Sequence, residues 1–208
     1  IVTQSSGATL IEVPTIDWGH NLEAFPRNIR DDTKVIFIAN PNNPTGTYNS
    51  HQEVHRLLKN IPSSILVVLD CAYFEYVKKS NYVNPLPLLN EFDNLLVTKS
   101  FSKIQGLASA RIGYGIAQPE LIEVLNRIRQ PFNVNSFAQE LACEAINDKE
   151  HIKKSIDLNL AEGTFLFAEL TQLGLECIPS VGNFISFKGN FNGKEMFISL
   201  MEKGVVVR

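Results

Sequence analysis

Lys103 is the residue with the most chemistry to offer. It stands in the segment Thr98 to Arg111, T-K-S-F-S-K-I-Q-G-L-A-S-A-R, with Ser100 and Ser102 just before it and Arg111 eight positions after it. A lysine amine attacks aldehydes, while hydroxyls and a guanidinium are groups that grip phosphate oxygens. The segment therefore suits a lysine that works on a phosphorylated ligand while its neighbours hold the phosphate. Alone, the same pattern also describes a solvated turn after a strand, so the rest of the chain has to decide.

Three further residues bear on that decision. Asp70 ends the apolar run at the start of V-V-L-D-C-A-Y, Tyr73 closes that motif, and Asn43 sits in N-P-N-N-P-T-G. A carboxylate held against a ring nitrogen keeps that nitrogen protonated and the ring electron-poor, and such a ring stabilises a carbanion beside it. An amide and a phenol can both hydrogen-bond a phenolic oxygen on the same ring. Taken together the set describes a site for pyridoxal 5'-phosphate. Lys103, Asp70 and Tyr73 would be the catalytic groups. Asn43, Asp70, Tyr73, Ser100, Ser102, Lys103 and Arg111 would contact the cofactor.

These residues need a scaffold that brings strand ends together. Val35–Ile38, Ile65–Leu69 and Leu95–Val97 are wholly apolar runs, expected as strands buried on both faces of a parallel sheet, and Arg111–Ala117 reads as a fourth strand. Ser50-His51-Gln52-Glu53 is a capping-box pattern opening a helix to about Asn60. Helical spacing returns over Leu121–Ile128, Phe137–Ile146 and Glu150 to about Leu173, where Gly174 suits a left-handed cap. Shorter expectations are a strand over Ala8–Val13, strand-like pieces at Leu175–Ile178, Phe184–Phe187 and Val205–Val207, and a helix near Lys194–Lys203. A weak helical spacing joins Leu22, Phe25 and Ile29. The fold class is α/β, a mainly parallel sheet with helices on both faces, followed by the start of a smaller α+β domain. The expected division is residues 1–147 and 148–208. In such sheets ligands bind where polar residues leave the carboxyl ends of strands. Asn43, Asp70 and Ser100–Lys103 all lie just past such ends.

Composition bounds the partners. The chain has 208 residues, 44% of them hydrophobic, and a formal net charge of -3, which gives no electrostatic reason to expect nucleic acid or an anionic membrane surface. No apolar run is long enough to span a bilayer. The three cysteines, Cys71, Cys143 and Cys177, show neither metal-ligand spacing nor a disulfide framework, which suits a cytoplasmic setting. Among the four histidines, His51 and His55 share a helical face, but no third ligand is evident, so no metal is assigned. Lys99 reads as a solvated lysine or at best a phosphate neighbour, and Phe165, Phe167 and Leu170 as packing residues of the long helix. The chain opens without methionine at Ile1-Val2-Thr3 and stops in an apolar run, and is expected to be an internal piece of a longer polypeptide.

N-P-N-N-P-T-G, V-V-L-D-C-A-Y and S-F-S-K with Arg111 in register resemble the fold-type I, class I/II aminotransferases. With Arg129-Gln130-Pro131-Phe132-Asn133-Val134-Asn135-Ser136, they resemble in particular the histidinol-phosphate aminotransferase branch. The resemblance covers essentially the whole chain. It implies that Lys103 bonds the cofactor covalently and Asp70 pairs with its ring nitrogen. Asn43 and Tyr73 would contact the ring hydroxyl, and Ser100, Ser102 and Arg111 the phosphate. Asn43, Asn183 and Arg208 would lie near the substrate, a small-molecule amino donor or 2-oxo acid. It further implies a homodimer, and transamination between histidinol phosphate and 2-oxoglutarate in histidine biosynthesis. Family members carry a gating arm, a phosphate-binding helix start and a ring-stacking aromatic before the point matching Ile1, and a carboxylate-binding arginine after Arg208. Alternatives are a threonine-phosphate decarboxylase, an aromatic or branched-chain aminotransferase, or a catalytically incomplete fragment.

Overall fold

The apolar runs meet in one four-stranded sheet. The computed structural model describes residues 2–208. Strands β1 (Val35–Ala39), β2 (Leu66–Asp70), β3 (Leu95–Ser100) and β4 (Gly113–Ile116) lie side by side in chain order. β1, β2 and β3 are parallel, and β4 returns antiparallel to β3. The helices are α1 (Val2–Ser5), α2 (His51–Asn60), α3 (Pro119–Ile128), α4 (Ser136–Asn147), α5 (Lys149–Gln172) and α6 (Gly193–Glu202). A small antiparallel pair, β5 (Glu176–Cys177) and β6 (Phe187–Lys188), follows α5.

One face of the sheet carries the main core. Ile36 and Ile38 of β1, Val67 and Leu69 of β2, and Leu95 and Val97 of β3 pack with Val54, Leu57 and Leu58 of α2. That helix starts where the sequence marks it. Ser50 Oγ accepts from the Glu53 N–H, and Glu53 reaches back to the Ser50 N–H at 2.8 Å. α5 ends at a left-handed Gly174 with φ of 79°, as its cap requires.

Several expectations fail, most of them for want of a packing or pairing partner. β1 is not buried on both faces: Phe37 is 68% exposed, and nothing among the described residues covers it. It is an edge strand, and its outer side borders a groove of about 900 Å³ lined largely by residues 3–37. Ala8–Val13 forms no strand, since it pairs with no neighbour, and neither does Val205–Val207. Leu22, Phe25 and Ile29 do pack on the core, but from two short 3-10 turns, Leu22–Ala24 and Pro26–Asn28. On α5, Phe165 is 58% exposed, so only Phe167 and Leu170 are part-buried as expected of packing residues. No helix is long and apolar enough to cross a membrane among the described residues, nor do they hold a group of side chains that could bind a metal ion.

Candidate active site

Parallel pairing sets the positions of the chemical groups. Ala39 lies opposite Asp70, and Asp70 lies opposite Thr98, so β1, β2 and β3 end at one edge. The chain leaving β1 makes the turn through Asn43, that leaving β2 carries Asp70 and Tyr73, and that leaving β3 carries Ser100, Ser102 and Lys103. The first turn holds cis peptide bonds at Asn40-Pro41 and Asn43-Pro44. Asn40 anchors it: fully buried, it bonds the Asn49 backbone both ways, donating at 3.0 Å and accepting at 2.9 Å. The Tyr82 hydroxyl donates to the Asn40 carbonyl at 2.5 Å. Burial, with Cys71 alongside, pushes the Tyr82 hydroxyl pKa upward, so it stays a protonated donor.

Tyr73 is the hub. It is buried, and its hydroxyl accepts from Asn43 Nδ2 at 2.7 Å. Lys103 Nζ lies 5.0 Å from its ring centroid and makes no hydrogen bond or ion pair among the described residues. Phe184 meets the same ring edge-on with centroids 5.2 Å apart. Asp70 is exposed, and one carboxylate oxygen accepts from the Ala72 N–H at 3.0 Å. That bond caps the turn, and the other oxygen is unengaged among the described residues. Ser100 Oγ accepts from the Ser102 N–H at 3.0 Å, which folds the two hydroxyls into one short loop.

Other assigned residues stand differently. Arg111 adopts a left-handed backbone with φ of 53°, and its guanidinium donates to the Ala108 carbonyl at 2.8 Å rather than to either serine. Asn183 is exposed and directly precedes Phe184, whose ring meets Tyr73, but it makes no hydrogen bond with the cluster among the described residues. Arg208 is exposed and makes no hydrogen bond or ion pair among the described residues, so nothing here brings it to the cluster. Lys99 is not solvated. Its side chain is only 16% exposed, pairs with Glu75 at 2.5 Å and lies 4.2 Å from the Phe74 ring centroid.

Sequence reading missed the Lys99–Glu75 pair and Phe184. It also missed the latch that brings Phe184 in. Val181 N–H donates to the Gly46 carbonyl at 2.9 Å, and Ser186 Oγ bonds the Pro44 carbonyl. Only the juxtaposition of Val181-Gly182-Asn183-Phe184 with a proline-rich turn far away in the chain could have signalled it.

A mainly parallel α/β sheet with a lysine, a carboxylate and a phenol at its strand ends suits a class I or II aminotransferase. The model of that family, "Aminotransferase class I and II", matches residues 2–208, and the chain belongs to it. It is 47% identical over 208 residues to histidinol-phosphate aminotransferase 2 of Pseudomonas fluorescens, covering all of this chain and 56% of that protein. It is 45% identical over 207 residues to the histidinol-phosphate aminotransferase of Caldicellulosiruptor saccharolyticus, covering 58% of it. The chain thus spans little more than half the length of the curated relatives it matches. Among solved structures, the histidinol-phosphate aminotransferase of Sinorhizobium meliloti in complex with pyridoxal-5'-phosphate superposes with a TM-score of 0.91 at 26% identity, over 99% of this chain and 57% of that one. A putative histidinol-phosphate aminotransferase from Erwinia carotovora atroseptica gives 0.92 at 25% identity, over 98% and 60%.

Proposed function

We propose that the protein is a pyridoxal 5'-phosphate-dependent aminotransferase exchanging the amino group of histidinol phosphate with 2-oxoglutarate. The observation that carries this reading is the convergence of Lys103, Tyr73 and Asn43 at one sheet edge, with Asp70 and the two serines on the adjoining strand ends. The donor set fits the cofactor. Lys103 Nζ has no competing bond, Asp70 keeps a carboxylate oxygen open, and the Tyr73 hydroxyl, already accepting from Asn43, retains its own proton to donate. When bound, the cofactor supplies an electron-poor ring that accepts the electron pair left on the substrate's Cα.

Each protein group then has a defined task. Lys103 would hold the cofactor through its amine, and that amine, once free, would be the base that takes the proton from the donor's Cα. Asp70 keeps the ring nitrogen protonated. Tyr73 and Asn43 orient the ring through its hydroxyl. Ser100, Ser102 and Arg111 take the phosphate, Arg111 by exchanging the Ala108 carbonyl for phosphate oxygens. Asn43, Asn183 and Arg208 belong to the substrate side. Residues 1–147 would form the cofactor domain and 148–208 the start of a smaller one, in a cytoplasmic homodimer.

Full-length protein with pyridoxal 5'-phosphate and 2-oxoglutarate, assayed against a panel of amino donors, tests the reading. Glutamate should form fastest with histidinol phosphate, and Lys103→Ala should abolish turnover. A preference for aromatic or branched-chain donors would replace the substrate assignment. Undiminished turnover in Lys103→Ala would end the enzymatic one.

A further inference from the structure

We infer that Lys99 and Glu75 form a positioning pair that sets Tyr73 against Lys103. The inference rests on the reading above only in taking those two residues as the working groups. Glu75 belongs to the 3-10 turn Phe74–Tyr76 that starts directly after Tyr73, while Lys99 is the penultimate residue of β3, directly before Ser100. The 2.5 Å contact between them therefore ties the loop carrying Asp70 and Tyr73 to the loop carrying Ser100, Ser102 and Lys103. It is the only ion pair among the described residues that joins these two loops.

The pair is built rather than incidental. Both side chains are about one-sixth exposed, at 16% and 17%, whereas each of the other pairs has at least one partner half exposed or more. A shielded pair loses less to water and salt than an exposed one. The Phe74 ring under Lys99 Nζ fixes the ammonium from a second side. The turn it grips is also held by the bond from Phe74 N–H to the Cys71 carbonyl at 3.0 Å, by packing of Phe74 on the core, and by the bonds from Tyr76 N–H to the Tyr73 carbonyl and from Val77 N–H to the Phe74 carbonyl, both at 3.2 Å. Releasing Glu75 frees the residues that place the Tyr73 ring, while Asp70 stays paired within the sheet and the Lys103 carbonyl keeps its bond from the Gly106 N–H.

Amide hydrogen exchange on full-length protein without cofactor tests the pair independently of the enzymatic reading. Lys99→Met should speed exchange at the Tyr76 and Val77 amides tenfold or more, leave α2 and α5 unchanged, and be reversed by Lys99→Arg. Glu75→Gln, close in shape, should do the same if Lys99→Met folds poorly. Unchanged exchange at those two amides in either variant would overturn the inference. With cofactor, Lys99→Met should lower kcat about tenfold at a KM within twofold. In the Tyr73→Phe background it should add little, because the pair acts through Tyr73. Additive effects of the two substitutions would overturn the positioning role. A protein that shows the exchange effect but binds no cofactor would refute the enzymatic reading alone.

Discussion

Gly46→Ala is expected to be among the most damaging single-methyl changes in the protein. Gly46 has φ of 75°, and a Cβ there would sit 1.9 Å from Ser180 Oγ, 2.4 Å from Ser180 Cβ and 2.8 Å from Ser180 Cα. The first two are side-chain atoms, but the third is backbone, so no rotamer of Ser180 relieves the overlap. Left-handed backbone costs a non-glycine residue about 1–2 kcal/mol, and forcing extra volume into a packed contact costs about 1–3 kcal/mol more. The sum, about 2–5 kcal/mol, would lower a urea midpoint by about 1–2 M. The structure eases the clash by letting residues 180–186 leave the turn, which breaks the Val181–Gly46 bond and withdraws Phe184 from Tyr73. Urea unfolding followed by circular dichroism reads the midpoint, and Ser180→Gly should restore part of it by removing Oγ and Cβ. Gly163→Ala is the control. It lies within α5 with nothing within 4 Å of the added methyl, and should stabilise by about 0.5–1 kcal/mol. A Gly46→Ala midpoint equal to wild type would refute the reasoning.

Further outcomes follow from the same geometry. Tyr73→Phe deletes the acceptor for Asn43, and because Asn43 is exposed its amide can turn to water. Stability should fall by no more than about 1 kcal/mol, while cofactor affinity, read by fluorescence titration, should fall up to about tenfold for the lost hydrogen bond. Burial lowers the His20 pKa below its ordinary 6.5, outweighing the bond to the Ala39 backbone, and its Nε2 is buried without a partner. The unfolded chain then binds a proton that the folded chain refuses, so stability is full above pH 6.5 and falls as pH drops below it. His20→Gln should flatten that fall in thermal unfolding between about pH 7 and 5, and an unchanged profile would sink the assignment. Burial pushes the Cys71 thiol up to about 12, so iodoacetamide on native protein should label exposed Cys143 first and Cys71 only on unfolding.

The parts of this structure legible in the sequence are those set locally. The Ser50 and Glu53 capping box, Gly174 as a helix cap and the apolar runs of β1 to β3 each depend on a few adjacent residues. Parallel pairing then placed Asn43, Asp70 and Lys103 at one edge without further information. Contacts between distant segments were hidden. An apolar run such as Val35–Ile38 reads the same whether its second face is covered or open, and only the arrangement around it leaves Phe37 exposed. Arg111 carries the right charge at the right spacing, yet its guanidinium is held by the Ala108 carbonyl, a backbone acceptor that any sequence would offer. Lys99 looked like a surface lysine because nothing near it in sequence is acidic. Glu75, twenty-four positions earlier, meets it only through the pairing of β2 with β3.

The most direct test of the proposed chemistry is borohydride reduction of full-length protein incubated with pyridoxal 5'-phosphate, followed by peptide mass mapping. A single cofactor-derived mass on the side chain of Lys103, lost in Lys103→Ala, is the expected result. Attachment at Lys99 or any other lysine, or no attachment in protein that demonstrably binds the cofactor, would contradict it.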